Sequence, residues 1–279
     1  MLWIVGGISS MLLLFLVWVL AIMPQNRECR QVEVDSFKKS DYAHRGLHNE
    51  AAGIPENSLP AFQRAIEEGF GIELDVHLSK DGEVVIFHDD NLKRICGIDA
   101  VISELSAAEL KKARLRGTQY TIPLLKEVLQ IVAGKVPLVI ELKFEKKHRL
   151  LCEKVNQLLE KYPGEYCIES FDPRCVWWFR RHRKEIVRGQ LAECFRRHGM
   201  QMNILLDFLL KNLLLNFLSR PDFIAYNLED IHCAHSFRLC SCLYRVQKVL
   251  WVVRSPEQAA IARKQNAVMI FEGFDPREI

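Results

Sequence analysis

Four short clusters of acidic, histidine and basic side chains fall at or just past the ends of β-branched runs: His44-Arg45-Gly46, Glu73-Leu74-Asp75, His88-Asp89 and Glu141-Leu142-Lys143. Residues two apart on a strand share a face, so Glu73 and Asp75 project together, and so do Glu141 and Lys143. Three carboxylates converging on one point (Glu73, Asp75 and Glu141) need a cation for stability. All-oxygen ligation suits one hard divalent ion, Mg2+ or Ca2+, and not zinc. Arg45 and Lys143 beside such an ion complement a phosphate. Two histidines, His44 and His88, divide the proton work, one acting on the attacking oxygen and one on the leaving oxygen. Together these residues describe metal-assisted cleavage of a phosphoester. Each cluster alone is a common surface pattern, and their joint occurrence on neighbouring strands carries the reading.

The elements that must position these groups alternate between strand-like runs and helical patterns, which predicts repeated βα units around a parallel sheet. Eight strands are expected: 42–46, 71–77, 137–143, 166–171, 186–192, 222–227, 249–253 and 267–272. An extra extended run, 83–89, follows the turn Lys80-Asp81-Gly82, so 71–79 and 83–89 read as a hairpin. Ser58 and Pro60 open a helix that runs to Gly69, Ser106 to Glu109 has capping-box spacing, and Pro123 opens a helix through Val132. Pro173 and Pro256 mark later helix starts. In a barrel strand the inward face is normally apolar, so charges pointing there at the C-terminal end need a functional reason.

The ordered set His44-Arg45-Gly46, Pro55-Glu56-Asn57-Ser58, Glu73-Leu74-Asp75-Val76, His88-Asp89 and Ile140-Glu141-Leu142-Lys143 resembles the signature of the glycerophosphodiester phosphodiesterase family, from about residue 42 to the end. The resemblance implies a (β/α)8 TIM barrel with a small insertion after strand two, which hydrolyses glycerophosphodiesters to glycerol 3-phosphate and an alcohol. It implies Glu73, Asp75 and Glu141 as metal ligands, His44 and His88 as the acid–base pair, and Arg45 and Lys143 on the phosphate. It places Asn57 at the rim of the site and Trp251, near the end of strand seven, as a wall for the glycerol or alcohol group. Two departures stand out: Ile270-Phe271-Glu272 replaces an isoleucine–threonine–aspartate ending to strand eight, and Val252 and Arg254 replace a Thr-Asn pair. Both bear on the alcohol end of the substrate.

The overall composition, 49% hydrophobic and 26% charged, excludes disordered and low-complexity classes. Residues 2–23 carry no charge and are long enough to span a bilayer, so an uncleaved anchor over 1–23 is expected, followed by a juxtamembrane linker over 24–40. The remainder, 41–279, has a length near the roughly 250 residues of one (β/α)8 barrel. A signal peptide is the competing reading, but Ala21-Ile22-Met23-Pro24 is a poor cleavage sequence. Arg27, Arg30, Lys38 and Lys39 follow the span and none precedes it, which places the catalytic part on the cytoplasmic side. Nine cysteines without framework spacing agree with a reducing compartment.

A net charge of +3 gives no argument for nucleic acid, and no obligate protein partner is implied. The cations between Arg174 and His198 read either as a solvated face or as a patch for anionic lipid headgroups. The Leu-rich stretch 202–219 reads either as a buried barrel helix or as a helix lying in the membrane interface. His232, Cys233, His235, Cys240 and Cys242 offer five soft ligands in a short span, but their spacing matches no common closed zinc site. Three functions compete: a glycerophosphodiesterase, a lysophospholipase D acting on lysophospholipids, and a non-catalytic headgroup-binding module.

Overall fold

The alternating β-branched runs and capped helices assemble, in the computed structural model, into a closed barrel of eight parallel strands. The structure describes residues 2–25 and 31–278, with 2–6 and 31–33 described through their backbone. The strands are β1 (Tyr42–Ala43), β2 (Gly71–Leu78), β4 (Leu138–Leu142), β5 (Tyr166–Ser170), β6 (Val187–Ala192), β7 (Phe223–Asn227), β8 (Gln247–Val253) and β9 (Val268–Phe271). Each pairs with the next in chain order, and β1 pairs with both β2 and β9 to close the ring. β3 (Val84–Ile86) lies outside the ring, antiparallel to the end of β2, as the expected hairpin requires.

Alternation along the strands divides two apolar layers. Tyr42, Val139, Cys167, Val187, Leu191, Phe223, Val249 and Ile270 fill the barrel interior, with Phe37 of α2 (Gln31–Phe37) stacked on Phe223 at 4.8 Å. Ile72, Leu74, Ile140, Ile168 and Ile224 face outward, where the helices cover them. Close packing in the interior demands a glycine at 189, because a Cβ there would lie 2.1 Å from the Phe223 ring. The insertion after β2 has its own small core, built from Val85, Phe87, Leu92, Ile95, Leu110, Leu115 and Ile122.

Local signals explain most helix boundaries. α3 (Leu59–Glu68) is capped by the Ser58 hydroxyl on Ala61 N and ends at Gly69, whose φ of 74° suits glycine. In the insertion, α4 (Lys93–Cys96) is followed by α5 (Ala107–Leu110), which carries the full capping box with Ser106 and Glu109. α6 (Leu125–Val132) begins later than Pro123 suggested, because Leu124 is still extended and bridges Val85. Strand one is shorter than expected: Arg45 and Gly46 turn into positive φ right after Ala43. α7 (His148–Leu159) and α8 (Pro173–His182) pack together outside β4 and β5.

The Leu-rich stretch is not one helix. It breaks into α9 (Ile204–Lys211) and α10 (Asn216–Ser219) at Leu213, whose φ is +58°. Asp207 is the buried residue of α9, while Ile204, Leu205, Leu206 and Phe208 are exposed and Leu209 and Leu210 half-buried, against the buried-helix reading. The remaining helices are α11 (His235–Tyr244) and α12 (Pro256–Lys264). The N-terminal stretch forms α1 (Leu2–Ala21), whose last turns rest on the barrel. Trp18 Nε1 donates to Ser236 Oγ at 3.1 Å, Tyr244 OH to Val19 O at 2.8 Å and Asn216 Nδ2 to Ile22 O at 3.3 Å. Among the described residues no helix is long and apolar enough to cross a membrane. Met1 of the expected anchor, and residues 26–30 of the linker with Arg27, Cys29 and Arg30, lie outside the described residues.

Candidate active site

Strand alternation delivers the polar groups to the C-terminal mouth. On β2, Ile72, Leu74 and Val76 face the helices, which turns Glu73 and Asp75 inward, and the same parity on β4 turns Glu141 inward beside Asp75 in register. Ligand oxygens of Glu73, Asp75 and Glu141 all lie within 4.8 Å of one another, and all three residues are buried. Lys143 Nζ bridges Asp75 Oδ1 at 3.2 Å and Glu141 Oε1 at 2.8 Å. Its ammonium therefore lies on these carboxylates, where the resemblance had it on a phosphate.

The electrostatics are those of a site short of positive charge. Burial, then Asp75 and Glu141, push the Glu73 carboxyl well above the usual range. Burial also raises Glu141, with Lys143 opposing it. For Asp75 burial is outweighed by Lys143, His88, Arg45 and the Asn57 amide, which hold it well below its ordinary value. Three buried carboxylates in contact distance, crowded enough to favour protonation, fit the donor set of a hard divalent cation.

Arg45 begins the tight turn after β1, and its backbone N–H donates to Glu73 Oε2 at 2.8 Å. Its guanidinium donates from Nη1 to Glu56 Oε1 at 2.7 Å and reaches Asp75 Oδ2 from Nε at 3.5 Å. Asn57 is not at the rim. It is 2% exposed, its N–H reaches Arg45 O, and its Nδ2 donates to Asp75 Oδ2 at 2.7 Å. The reason is local: Arg45 and Asn57 both adopt positive φ, which folds the 45–57 loop back over the carboxylates.

The two histidines have parallel arrangements. His44 Nδ1 lies 2.7 Å from Glu272 Oε2, and His88 Nδ1 lies 2.6 Å from Asp89 Oδ1. A carboxylate only accepts, so each ring carries a proton on Nδ1 and, in its neutral form, leaves Nε2 unprotonated. Burial, then Arg45, lowers His44 to about 4, although Glu272 opposes the shift. His88 is lowered by burial and by Lys143. Arg94 anchors the second pair from behind: Nε meets Asp89 Oδ2 at 2.6 Å, while Nη1 and Nη2 each meet Glu56 at 2.8 Å. His77, buried at the end of β2, touches His88 O at 3.2 Å and Glu145 at 3.1 Å, which ties the His88 segment to the loop after β4.

The spacing of the sequence did not reveal Glu272, Arg94, Glu56 or His77 as supports. Glu272 stood out only as a departure at the end of strand eight. Trp251 points into the mouth beside Phe171, edge to face at 5.6 Å, and its indole nitrogen has no hydrogen-bond partner. A second group, Glu193, His198 and Asp230, collects across the mouth at the ends of β6 and β7. Asp230 already accepts from Cys194 N at 2.7 Å, Arg197 at 3.0 Å and His198 at 2.9 Å, so the group works as a clamp on the loop after β6.

Other expectations disperse. Among the described residues His232, Cys233, His235, Cys240 and Cys242 form no metal-capable cluster, and Cys240 donates instead to Ile22 O. The cations of 174–198 form no single face. Arg188 is buried on β6, Arg174 sits on Asp172, Arg183 on Glu185 and Asn156, and Arg197 on Asp230.

Comparison with known proteins agrees with this geometry. The model of the glycerophosphoryl diester phosphodiesterase family matches residues 44–225. Lysophospholipase D GDPD1 of Homo sapiens is 34% identical over 143 residues, which covers 47% of this chain and 44% of the relative. A glycerophosphodiester phosphodiesterase of Bacillus altitudinis is 33% identical over 134 residues, covering 44% and 54%. The chain thus spans about half the length of the curated relatives it matches. Among solved structures, an Oleispira antarctica phosphodiesterase in complex with its product sn-glycerol-3-phosphate superposes with a TM-score of 0.69 at 23% identity, covering 87% of this chain and 96% of that one. The glycerophosphodiester phosphodiesterase of Thermotoga maritima gives 0.59 at 28% identity, covering 83% and 92%.

Proposed function

Because the chain belongs to the glycerophosphoryl diester phosphodiesterase family, we propose that it hydrolyses glycerophosphodiesters to glycerol 3-phosphate and an alcohol. The observation that carries this reading is the pair of histidines, each fixed through Nδ1 by its own carboxylate, flanking one buried carboxylate cluster. Glu73, Asp75 and Glu141 would hold one divalent cation, Mg2+ or Ca2+. When bound, that ion supplies positive charge to the phosphoryl oxygens. Arg45 and Lys143 add two fixed positive charges beside the same point. One ring, with Nε2 unprotonated, takes a proton from the entering oxygen, and the other, carrying a second proton on Nε2, gives that proton to the leaving oxygen. Asp89 and Glu272 hold both rings in the tautomer this exchange needs. Trp251 and Phe171 wall the mouth beside the alcohol group.

The test is release of glycerol 3-phosphate from glycerophosphocholine by the detergent-purified chain with Mg2+, with Ca2+ and with excess chelator. Cation-dependent release, lost in His88→Ala, is the expected outcome. No release with either ion would refute the reading for this substrate class.

A second reading, lysophospholipase D activity at a membrane, is favoured by the apolar surface beside α1. Ile204 is 67% exposed, Leu205 65% and Phe208 50%, and α10, against which α1 packs, exposes Phe217 and Leu218. α1 itself exposes Met11, Leu12 and Leu14. An anchor over 1–23 with the barrel on the cytoplasmic side would bring this surface to the bilayer, where single-chain lipids partition. The double substitution Leu205→Asp with Phe208→Asp is expected to cut turnover of lysophosphatidylcholine in vesicles at least tenfold, since each side chain contributes about 1.5–3 kcal/mol when buried in lipid. Turnover of soluble glycerophosphocholine should stay unchanged. Equal loss on both substrates would mean that the pair supports the fold and not the lipid contact.

A further inference from the structure

β5 runs beside β4 with Glu169 directly opposite Glu141. Cys167 belongs to the barrel interior and Ile168 to the outer layer, so strand parity sends Glu169 inward with Cys167. Glu169 is 1% exposed, and its Oε2 has no hydrogen-bond partner. The charges acting on it are Glu141 and Asp75, both negative, and Lys143. A buried carboxylate with an orphaned oxygen and carboxylates for neighbours is an expensive arrangement unless positive charge arrives from elsewhere.

A charge balance shows how much is needed. The interior of the mouth holds four acidic groups: Glu73, Asp75, Glu141 and Glu169. Two cationic side chains, Arg45 and Lys143, face them. Arg45 is shared with Glu56, which also accepts from Arg94, while Asp89 and Glu272 are engaged by their histidines and by Arg94 and Arg254. The mouth is therefore short of at least two positive charges, and one divalent ion would bring two. Glu169 is not among the residues whose oxygens cluster within 4.8 Å, so it stands one strand behind the ligand-bearing three.

We propose that Glu169 is a fourth carboxylate of the cation site, a positioning residue whose charge tightens divalent-cation binding by Glu73, Asp75 and Glu141 from the neighbouring strand. The inference rests on the cation site of the proposed function. It adds a residue that the motif pattern does not single out, and it gives the orphaned oxygen a purpose. Supporting groups around a metal typically change its affinity ten- to a hundredfold.

Calorimetric titration of the full chain in detergent with MgCl2 and with CaCl2 tests it directly, using Glu169→Gln and Glu169→Asp. Glu169→Gln is expected to weaken Kd by about ten- to a hundredfold. In metal-free buffer the same variant should melt higher than the parent, because an unpaired buried acid has been removed. Glu169→Asp keeps the charge and should bind within about threefold of the parent, by the same reasoning. A higher Tm with unchanged Kd would overturn the proposal and make Glu169 a buried acid with no part in the site. Equal weakening in both variants would also overturn it, by showing that packing and not charge sets the affinity. If the parent chain binds neither ion, the cation site of the proposed function fails with it, whereas equal affinity of parent and Glu169→Gln sinks the present inference alone.

Discussion

Asp75→Asn is expected to lower the rate of glycerophosphodiester hydrolysis on the order of a thousandfold, the loss typical when a preorganised charge at a reacting centre is removed. Asp75 is where the site's interactions meet: it accepts from Asn57 Nδ2 at 2.7 Å and Lys143 at 3.2 Å and faces Arg45 at 3.5 Å. The amide removes one ligand charge from the cation site and turns a donor group toward these three donors. The chain should nevertheless remain folded. Lys143 keeps Glu141 at 2.8 Å and Arg45 keeps Glu56 at 2.7 Å, so neither buried cation is left without a partner. Glu73, pushed up in part by Asp75, is relieved by the change. The measurement is initial rate against cation concentration together with a melting curve. A rate within tenfold of the parent, at saturating cation, would show that Asp75 is not a ligand.

The order of these dependencies explains what the sequence made legible. Glu73, Asp75, Glu141 and Lys143 could be placed on common faces because strand parity is a local rule, and the structure does bring them together with His44, Arg45 and His88. The eight parallel strands were legible for the same reason: each is a short β-branched run bounded by a cap or a turn. What escaped was set by pairing between distant segments. Glu272 meets His44 across the β1–β9 seam, and Arg94 reaches both Glu56 and Asp89 from the insertion. Neither contact has a spacing signature. Glu169 did carry a signal, since a charged residue at an inward position of a barrel strand asks for a reason. The burial of Asn57 was not legible because positive φ at the non-glycine residues Arg45 and Asn57 is not read from residue type. The Leu-rich stretch showed its apolar character but not the break at Leu213, which is itself buried while Leu205 and Leu206 before it and Leu218 after it are exposed.

His44→Ala should lower kcat/KM for glycerophosphocholine between a hundred- and ten-thousandfold, the range for loss of a positioned acid or base. The pH profile distinguishes this role from simple support. In the folded chain His44 is lowered from 6.5 to about 4, chiefly by burial and by Arg45. A lowered value means that the neutral ring, with Nε2 free, persists well below the pH at which an exposed histidine charges. Protonation of His44 itself should therefore remove no activity as pH falls through 6.5, and its own share of the acid limb should appear only toward pH 4. Unfolded chains bind that proton near 6.5, so stability should also fall as pH drops from 6.5 toward 4, where the unfolded state takes up more protons. Glu272 pulls the other way on His44, and its own carboxyl is held at about 2 by the bond to that ring. Glu272→Gln replaces a carboxylate that can only accept from Nδ1 by an amide that can accept or donate, so the proton is no longer fixed on Nδ1. It should lower kcat with little change in KM, because the ring is mis-set without removing a contact to the substrate. A Glu272→Gln variant as fast as the parent would mean that the pairing across the β1–β9 seam does not serve the chemistry.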